Sequence, residues 1–270
     1  MALEFLFSRF GEIHDQFYDL LELSDFSIPT WLALGAGLQQ LSTSYLPLHW
    51  SLYLPILWLG FRFSKAIFDT LRLPNASFAD IKPGKWTTPF PELDNSSKTS
   101  TSNGVVVFLL GARLNHPFGK LAPGVVDLDV VFKDMWREAE KNRKKWSYLG
   151  RTSTLCDTSD TEGTTTVWVS YWKDLKGLQA FSASAAHRLG QNGWETGKYP
   201  HVGIMHETYH APKGSWETIY GNFPAWGLGN SKYIVEDEMG GIQLGDTLVP
   251  NPKGSSMFSR MRWAKQNSGE

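Results

Sequence analysis

Between Asp25 and Arg62 the chain runs for 36 residues without an Asp, Glu, Lys or Arg, and 21 of those 36 are apolar. A helix exposed to water needs a polar face, so such a stretch has to be covered by protein or by lipid. Ser42-Thr43-Ser44 splits it into 28–41 and 45–61. Each half is shorter than the ~20 residues a straight helix needs to cross a bilayer. Pro47 and Pro55 interrupt the second half, and Trp31, Tyr45, Trp50, Tyr53 and Trp58 are residue types that settle at a membrane interface. The pattern predicts a short hairpin or an interfacial insertion rather than one clean crossing. A buried helical pair is the alternative. Arg62, Lys65 and Arg72 follow the stretch whereas only Arg9 precedes it, which assigns the large C-terminal part to the cytoplasmic side.

Residues 1–25 are acidic and lack the basic start and cleavage site of a signal or transit peptide. The glycosylation-type triplets at Asn75 and Asn95 are too common by chance to reverse the orientation. A formal charge of −1 excludes a strongly basic nucleic-acid binder, which would need a surplus of Lys and Arg to neutralise phosphates. Cys156 is the only cysteine, so neither an intrachain disulfide nor a cysteine-based zinc site can form.

The composition divides the chain into an acidic segment (1–25), a hydrophobic helical region (26–73), a Pro- and Ser-rich linker (74–104), a folded domain (105–235) and a tail (236–270). Within the domain, 105–114 is a continuous β-branched run. Val125, Leu128, Phe132, Met135 and Ala139 then mark one helix face. Strands are predicted at 146–155, 164–172 and 201–210, a second helix at 173–189 and a short fifth strand at 216–220. The order βαββαβ predicts an α+β ferredoxin-like fold with both helices on one sheet face. Covering the other face with a second copy predicts a homodimer.

His206-Glu207-Thr208-Tyr209-His210 matches the H-E-x-x-H zinc pattern only as a string. On a strand its two histidines stand about 13 Å apart and cannot share one ion. The strand instead turns His206, Thr208 and His210 to one face and Glu207 and Tyr209 to the other. Arg113, Asn115 and His116 form a polar rim at the end of the first strand. On a continuous second helix His187 falls opposite the stripe of Leu175, Leu178, Phe181, Ala185 and Leu189 and is exposed; a break near 183–186 would turn it inward. Trp172, with Trp168, is a core residue or a wall for an apolar substrate. The loop Gly227-Leu-Gly229 carries no nucleotide fingerprint.

Several strings taken together, Val105-Val-Val-Phe-Leu-Leu-Gly-Ala-Arg113 with Asn115, Val169-Ser-Tyr-Trp172, Leu178-Gln-Ala-Phe181 with His187, and Val202-Gly-Ile-Met-His-Glu-Thr-Tyr209 through Gly214-Ser-Trp-Glu-Thr-Ile-Tyr220 to Gly227-Leu-Gly229, resemble the fungal monooxygenase-like family of dimeric α+β barrels. The resemblance covers about residues 100–235. With its hydrophobic extension the whole chain is similar to fungal members of the antibiotic-biosynthesis type. That likeness implies tailoring of a terpenoid or polyketide at the endoplasmic reticulum.

The resemblance further implies oxygenation with molecular oxygen as co-substrate and no metal or flavin. The substrate, as an enolate or phenolate, would itself supply the electron. Such chemistry needs a base and oxyanion donors in a dry cavity. His206 or His187 is the expected base by intrinsic pKa. Arg113 and Tyr209 or Tyr220 are the expected donors, and Trp172, Asn115 and His116 the expected substrate contacts. The alternatives are haem held by His187 on the second helix, and a non-oxidative cyclase, isomerase or accessory protein.

Overall fold

The computed structural model describes residues 22–72, 81–88, 104–212, 215–236 and 242–250. The acidic N-terminal segment up to residue 21, both Asn triplets and residues 251–270 lie outside them. Helices α1 (Ile28–Tyr45) and α2 (Leu48–Arg72) follow one another, and the Gln39 amide donates to the Ser51 carbonyl between them (2.9 Å). Their apolar side chains are not buried by protein: 21 large ones between Ile28 and Leu71 are exposed. Among the described residues no helix is long and apolar enough to cross a membrane. This removes the support for a transmembrane segment.

Strand β1 (Ile81–Thr87) lies inside the region that composition marks as linker. The domain then runs through β2 (Gly104–Leu114), helices α3 (Val125–Lys141) and α4 (Arg143–Trp146), β3 (Tyr148–Arg151), β4 (Leu155–Cys156) and β5 (Thr164–Trp172). Helices α5 (Leu175–Ser182) and α6 (Ala185–Glu195) and strands β6 (Val202–Pro212) and β7 (Tyr220–Pro224) follow. Strands β8 (Lys232–Glu236), β9 (Ile242–Asp246) and β10 (Val249–Pro250) complete the chain as described.

The main sheet has the antiparallel order β3-β5-β2-β6, with β4 paired to β5, which is the ferredoxin-like topology expected from the sequence. Alternation along β2 and β5 sends Val106, Phe108, Trp168 and Trp172 to the helix face. There they pack with Met135, Trp136, Ala139, Leu178 and Phe181, so this core lies between one sheet face and α3 and α5. The second helix is two helices: the Ser184 hydroxyl accepts from the His187 backbone N–H and starts a new helix after Ala183. The stripe predicted for one continuous helix therefore stops early, and Leu189 is exposed.

The predicted fifth strand, 216–220, is also displaced. Pairing begins at Tyr220, and 216–219 is irregular. Strand β7 pairs with β1, and β1 pairs with β10, so a piece of the linker and a piece of the tail join in one small sheet. The left-handed Asn222 (φ 49°) sits in β7, where its side-chain oxygen accepts from the Gly84 N–H (2.9 Å).

Candidate functional site

The sheet face away from the helices carries Val105, Val107, Tyr171 and Ala211. Opposite them stand residues 216–221, Phe223 and 226–228, and the two surfaces line an open cavity of about 600 Å³. Its walls are mostly aromatic and aliphatic: Trp216, Tyr220, Phe223, Trp226 and Leu228 face Val105, Val107 and Tyr171. Such a volume accommodates a drug-sized molecule, and the lining selects an apolar one.

Local chemistry holds this wall in place. Thr88 N–H donates to the Thr218 hydroxyl (2.7 Å), and Thr87 Oγ1 lies 3.0 Å from the Thr218 carbonyl to which it donates, so the end of β1 pins 216–219. Gly227 has φ +57°, and a Cβ there would stand 3.0 Å from the Tyr171 hydroxyl; only glycine brings this loop so close to the sheet. The Tyr220 hydroxyl donates to the Trp226 carbonyl (2.9 Å) and accepts from Gly229 N–H (2.8 Å). From the tail, the buried Thr247 hydroxyl donates to the Leu228 carbonyl (2.8 Å). Burial pushes the Tyr171 phenol up to about 12, with Tyr220 adding to the shift and the Leu228 backbone opposing it. Burial raises the Tyr220 phenol as well. Both phenols are therefore neutral at physiological pH.

The residues expected from sequence fall into three separate places. His206 pairs opposite Leu110 and shares the helix face, where its ring lies 5.8 Å from Phe108. His187, turned inward by the helix break, packs edge-on against Phe181 at 5.6 Å. The two imidazoles thus come together, yet on the face opposite the cavity. The H-E-x-x-H string lies wholly on β6, as the strand reading requires. Burial lowers the His187 pKa, the Ser182 backbone opposes this, and His206 adds to it. Its Nδ1 is buried with no hydrogen-bond partner.

A folded-state pKa below the ordinary 6.5 means that the unfolded chain takes up a proton which the native one resists. Stability from this group is whole above about pH 6.5 and is lost as pH falls toward the lower folded value. Unfolding midpoints measured between about pH 8 and 5 are expected to drop on acidification, and His187→Phe to flatten that drop. An unchanged slope in the variant would remove this role.

At the far end of β2, Arg113 makes a two-point contact with Asp160 (Nε to Oδ2 and Nη2 to Oδ1, each 2.9 Å) and also donates to the Asn115 side chain. The Arg113 guanidinium and then the Thr165 hydroxyl hold the Asp160 carboxyl well below the usual carboxylate range. Asp160 also accepts from the Gly163 N–H, so the group closes the loop between β4 and β5. His116 accepts from Phe118 N–H and packs against His201 at 4.7 Å. Arg113, Asn115 and His116 therefore form a loop clamp that does not reach the cavity.

Tyr209 stands on the outer face, exposed, and its hydroxyl donates to Glu207, which raises its pKa. Trp172 is fully buried between Tyr148 and Phe181 and donates to Ser170, so it is core and offers a substrate no surface. Of the expected site residues the cavity takes in Tyr220 alone. Trp216, Glu217, Thr218 and Tyr171 line the cavity and were not among the residues singled out from sequence as candidates. A strand over 216–220 would have sent Trp216 and Glu217 to opposite faces, whereas in the irregular segment both line the cavity.

Among the described residues no three His, Cys, Asp or Glu side chains converge as metal ligands. At His187, the residue of the haem alternative, one edge of the imidazole is taken up by protein. Phe181 lies against that ring and itself packs on Trp136, Trp146 and Trp172. The cavity on the other face has no histidine in its lining.

The chain is 27% identical over 222 residues to Monooxygenase af470 of Aspergillus fumigatus, covering 82% of this chain and 80% of that one. Two solved structures are similar to parts of it. One is SnoaB of Streptomyces nogalater, described as a cofactor-independent oxygenase (13% identity, 41% of this chain and 95% of that one, TM-score 0.30). The other is a putative antibiotic biosynthesis monooxygenase of Caulobacter crescentus (15% identity, 41% and 93%, TM-score 0.28). Residues 105–228, which hold the ferredoxin-like sheet, its covering helices and the cavity lining, match the family described as Monooxygenase af470-like.

Proposed function

We propose that this monooxygenase oxidises a CH₂ group next to a carbonyl in an apolar terpenoid or polyketide, using O₂ and neither metal nor flavin. The observation that carries the reading is the aromatic-walled cavity on the outer sheet face. Its apolar walls would shed water as an apolar substrate settles, and it has room for a substrate and O₂. Removal of one proton leaves an enolate. Its electron pair reduces O₂, and the new C–O bond gives a peroxide. Loss of the second proton from that carbon breaks the O–O bond and expels water, so R₂CH₂ and O₂ become R₂C=O and H₂O. The substrate supplies all four electrons.

The exposed apolar helices α1 and α2 support a seat on a membrane surface, where an apolar substrate concentrates. We place that surface at the endoplasmic reticulum, with the catalytic part toward the cytoplasm. A second copy of the chain covering Met205 and Tyr209 on the outer face of β6, both exposed in the single chain, completes the proposal as a homodimer.

Purified, metal-depleted protein incubated with 2-tetralone under ¹⁸O₂ is expected to give the 1,2-dione with one labelled oxygen, analysed before the carbonyls exchange with water. An unlabelled product would sink the monooxygenase chemistry, and a haem Soret band in active protein would sink its cofactor-free form.

A further inference from the structure

Two polar atoms on the cavity wall are shut off from water and have no hydrogen-bond partner in the chain: Nε1 of Trp216 and Oε1 of Glu217. The indole N–H can only donate, and an ionised carboxylate can only accept. Native proteins satisfy nearly all such atoms, so orphans of opposite sense on two successive residues that line a cavity point to a ligand that accepts from one and donates to the other.

The remaining polar lining is already engaged. Tyr220 both donates and accepts within the chain. The Thr218 hydroxyl accepts from Thr88 N–H. The Tyr171 hydroxyl is hydrogen-bonded by the Leu228 backbone. Glu217 is the one carboxylate in the lining, and its segment is held at a defined position by the end of β1.

We propose that Glu217 is the base of this enzyme and Trp216 the donor to the developing oxyanion, a pairing that rests on the cavity being the substrate site. The ligand class is an apolar ketone with an acidic CH₂ beside its carbonyl. The C–H proton passes to Glu217 Oε1 while the electron pair moves onto the carbonyl oxygen, which accepts from Trp216 Nε1–H. After O₂ adds at carbon, protonated Glu217 returns its proton to the peroxide oxygen. The largely apolar walls strengthen both contacts by lowering the local dielectric.

Proton removal can be read without oxygenation. Under nitrogen in D₂O, the full-length protein is expected to speed hydrogen–deuterium exchange at C1 of 2-tetralone above the buffer rate. Glu217→Gln is expected to lower that acceleration at least about a hundredfold, the ordinary scale of a positioned general base. Glu217→Asp, which keeps the carboxylate, is expected to recover part of it. Trp216→Phe is expected to weaken binding of 2-naphthol about tenfold while leaving that of 2-methylnaphthalene, which has no hydroxyl, unchanged. Circular dichroism checks that each variant is folded.

Exchange by folded Glu217→Gln at the wild-type rate would overturn Glu217 as base, and equal loss of both naphthalenes in Trp216→Phe would overturn Trp216 as donor. Wild-type exchange without ¹⁸O in any product would leave the base in place and remove the oxygenase reading instead. Absence of both binding and exchange in the wild type would overturn the cavity as substrate site, and this pair with it.

Discussion

Trp172→Ala is expected to cost the sheet domain about 3–5 kcal/mol of stability. Its side chain is 0% exposed, with ring centroids 4.9 Å from both Tyr148 and Phe181. Its indole N–H donates to Ser170 Oγ (3.0 Å), which in turn donates to the Phe108 carbonyl (3.2 Å) inside the sheet. Truncation leaves a cavity among rigid aromatic rings and strips Ser170 of a buried donor. A domain of ordinary stability, about 5–15 kcal/mol, would keep little margin after such a loss. Denaturant unfolding followed by near-ultraviolet circular dichroism measures it. A change below about 1 kcal/mol would contradict the packing role. Trp172→Phe keeps most of the volume and is expected to lose less, chiefly through the missing indole donor.

The second large effect concerns α2. Replacing Leu54, Leu57, Trp58 and Phe61 together by serine is expected to abolish binding to lipid vesicles while the sheet domain keeps its thermal transition. These four recur at spacings of 3, 1 and 3 on one side of the helix, and each is more than half exposed. Burying one such side chain away from water contributes about 1.5–3 kcal/mol. Losing four should lower partitioning at least about a hundredfold. Co-sedimentation with phosphatidylcholine vesicles reads this directly. Wild-type protein that stays in the supernatant would refute the membrane seat, and oligomerisation of the helices in its place would show that protein covers them.

The legibility of this chain follows from which forces are local. Strand β5 is observed at 164–172, the span its pattern predicts, and the Val125–Ala139 stripe packs on the sheet as its spacing requires. Both are set by alternation of apolar side chains, which adjacent residues carry. The break between α5 and α6 was less plain, because it depends on Ser184 capping a new helix rather than on any proline or glycine. That one cap decides whether His187 faces water or Phe181.

The strands within the linker and tail were not legible at all. Strand β1, composed of Ile81-Lys-Pro-Gly-Lys-Trp-Thr87, has neither alternation nor β-branched richness. It exists as a strand because β7 and β10, far away in sequence, supply its hydrogen-bond partners. Nonlocal pairing of this kind leaves no periodic trace in the strand that accepts it.

The sequence alone determined the two-part character of the chain, the βαββαβ order and the facing of His206 away from Tyr209, because charge distribution and side-chain period are properties of neighbouring residues. Tertiary structure decided where the cavity lies. It put the two histidines on the sheet face opposite that cavity, engaged Arg113 with Asp160, enclosed Trp172, and left the neighbouring polar groups of Trp216 and Glu217 on one apolar wall. The physical reason is that a cavity is defined by the surfaces that meet around it, and here they come from β2, β5, β6 and the 216–228 segment, held by β1 and Thr247 from the two ends of the described domain.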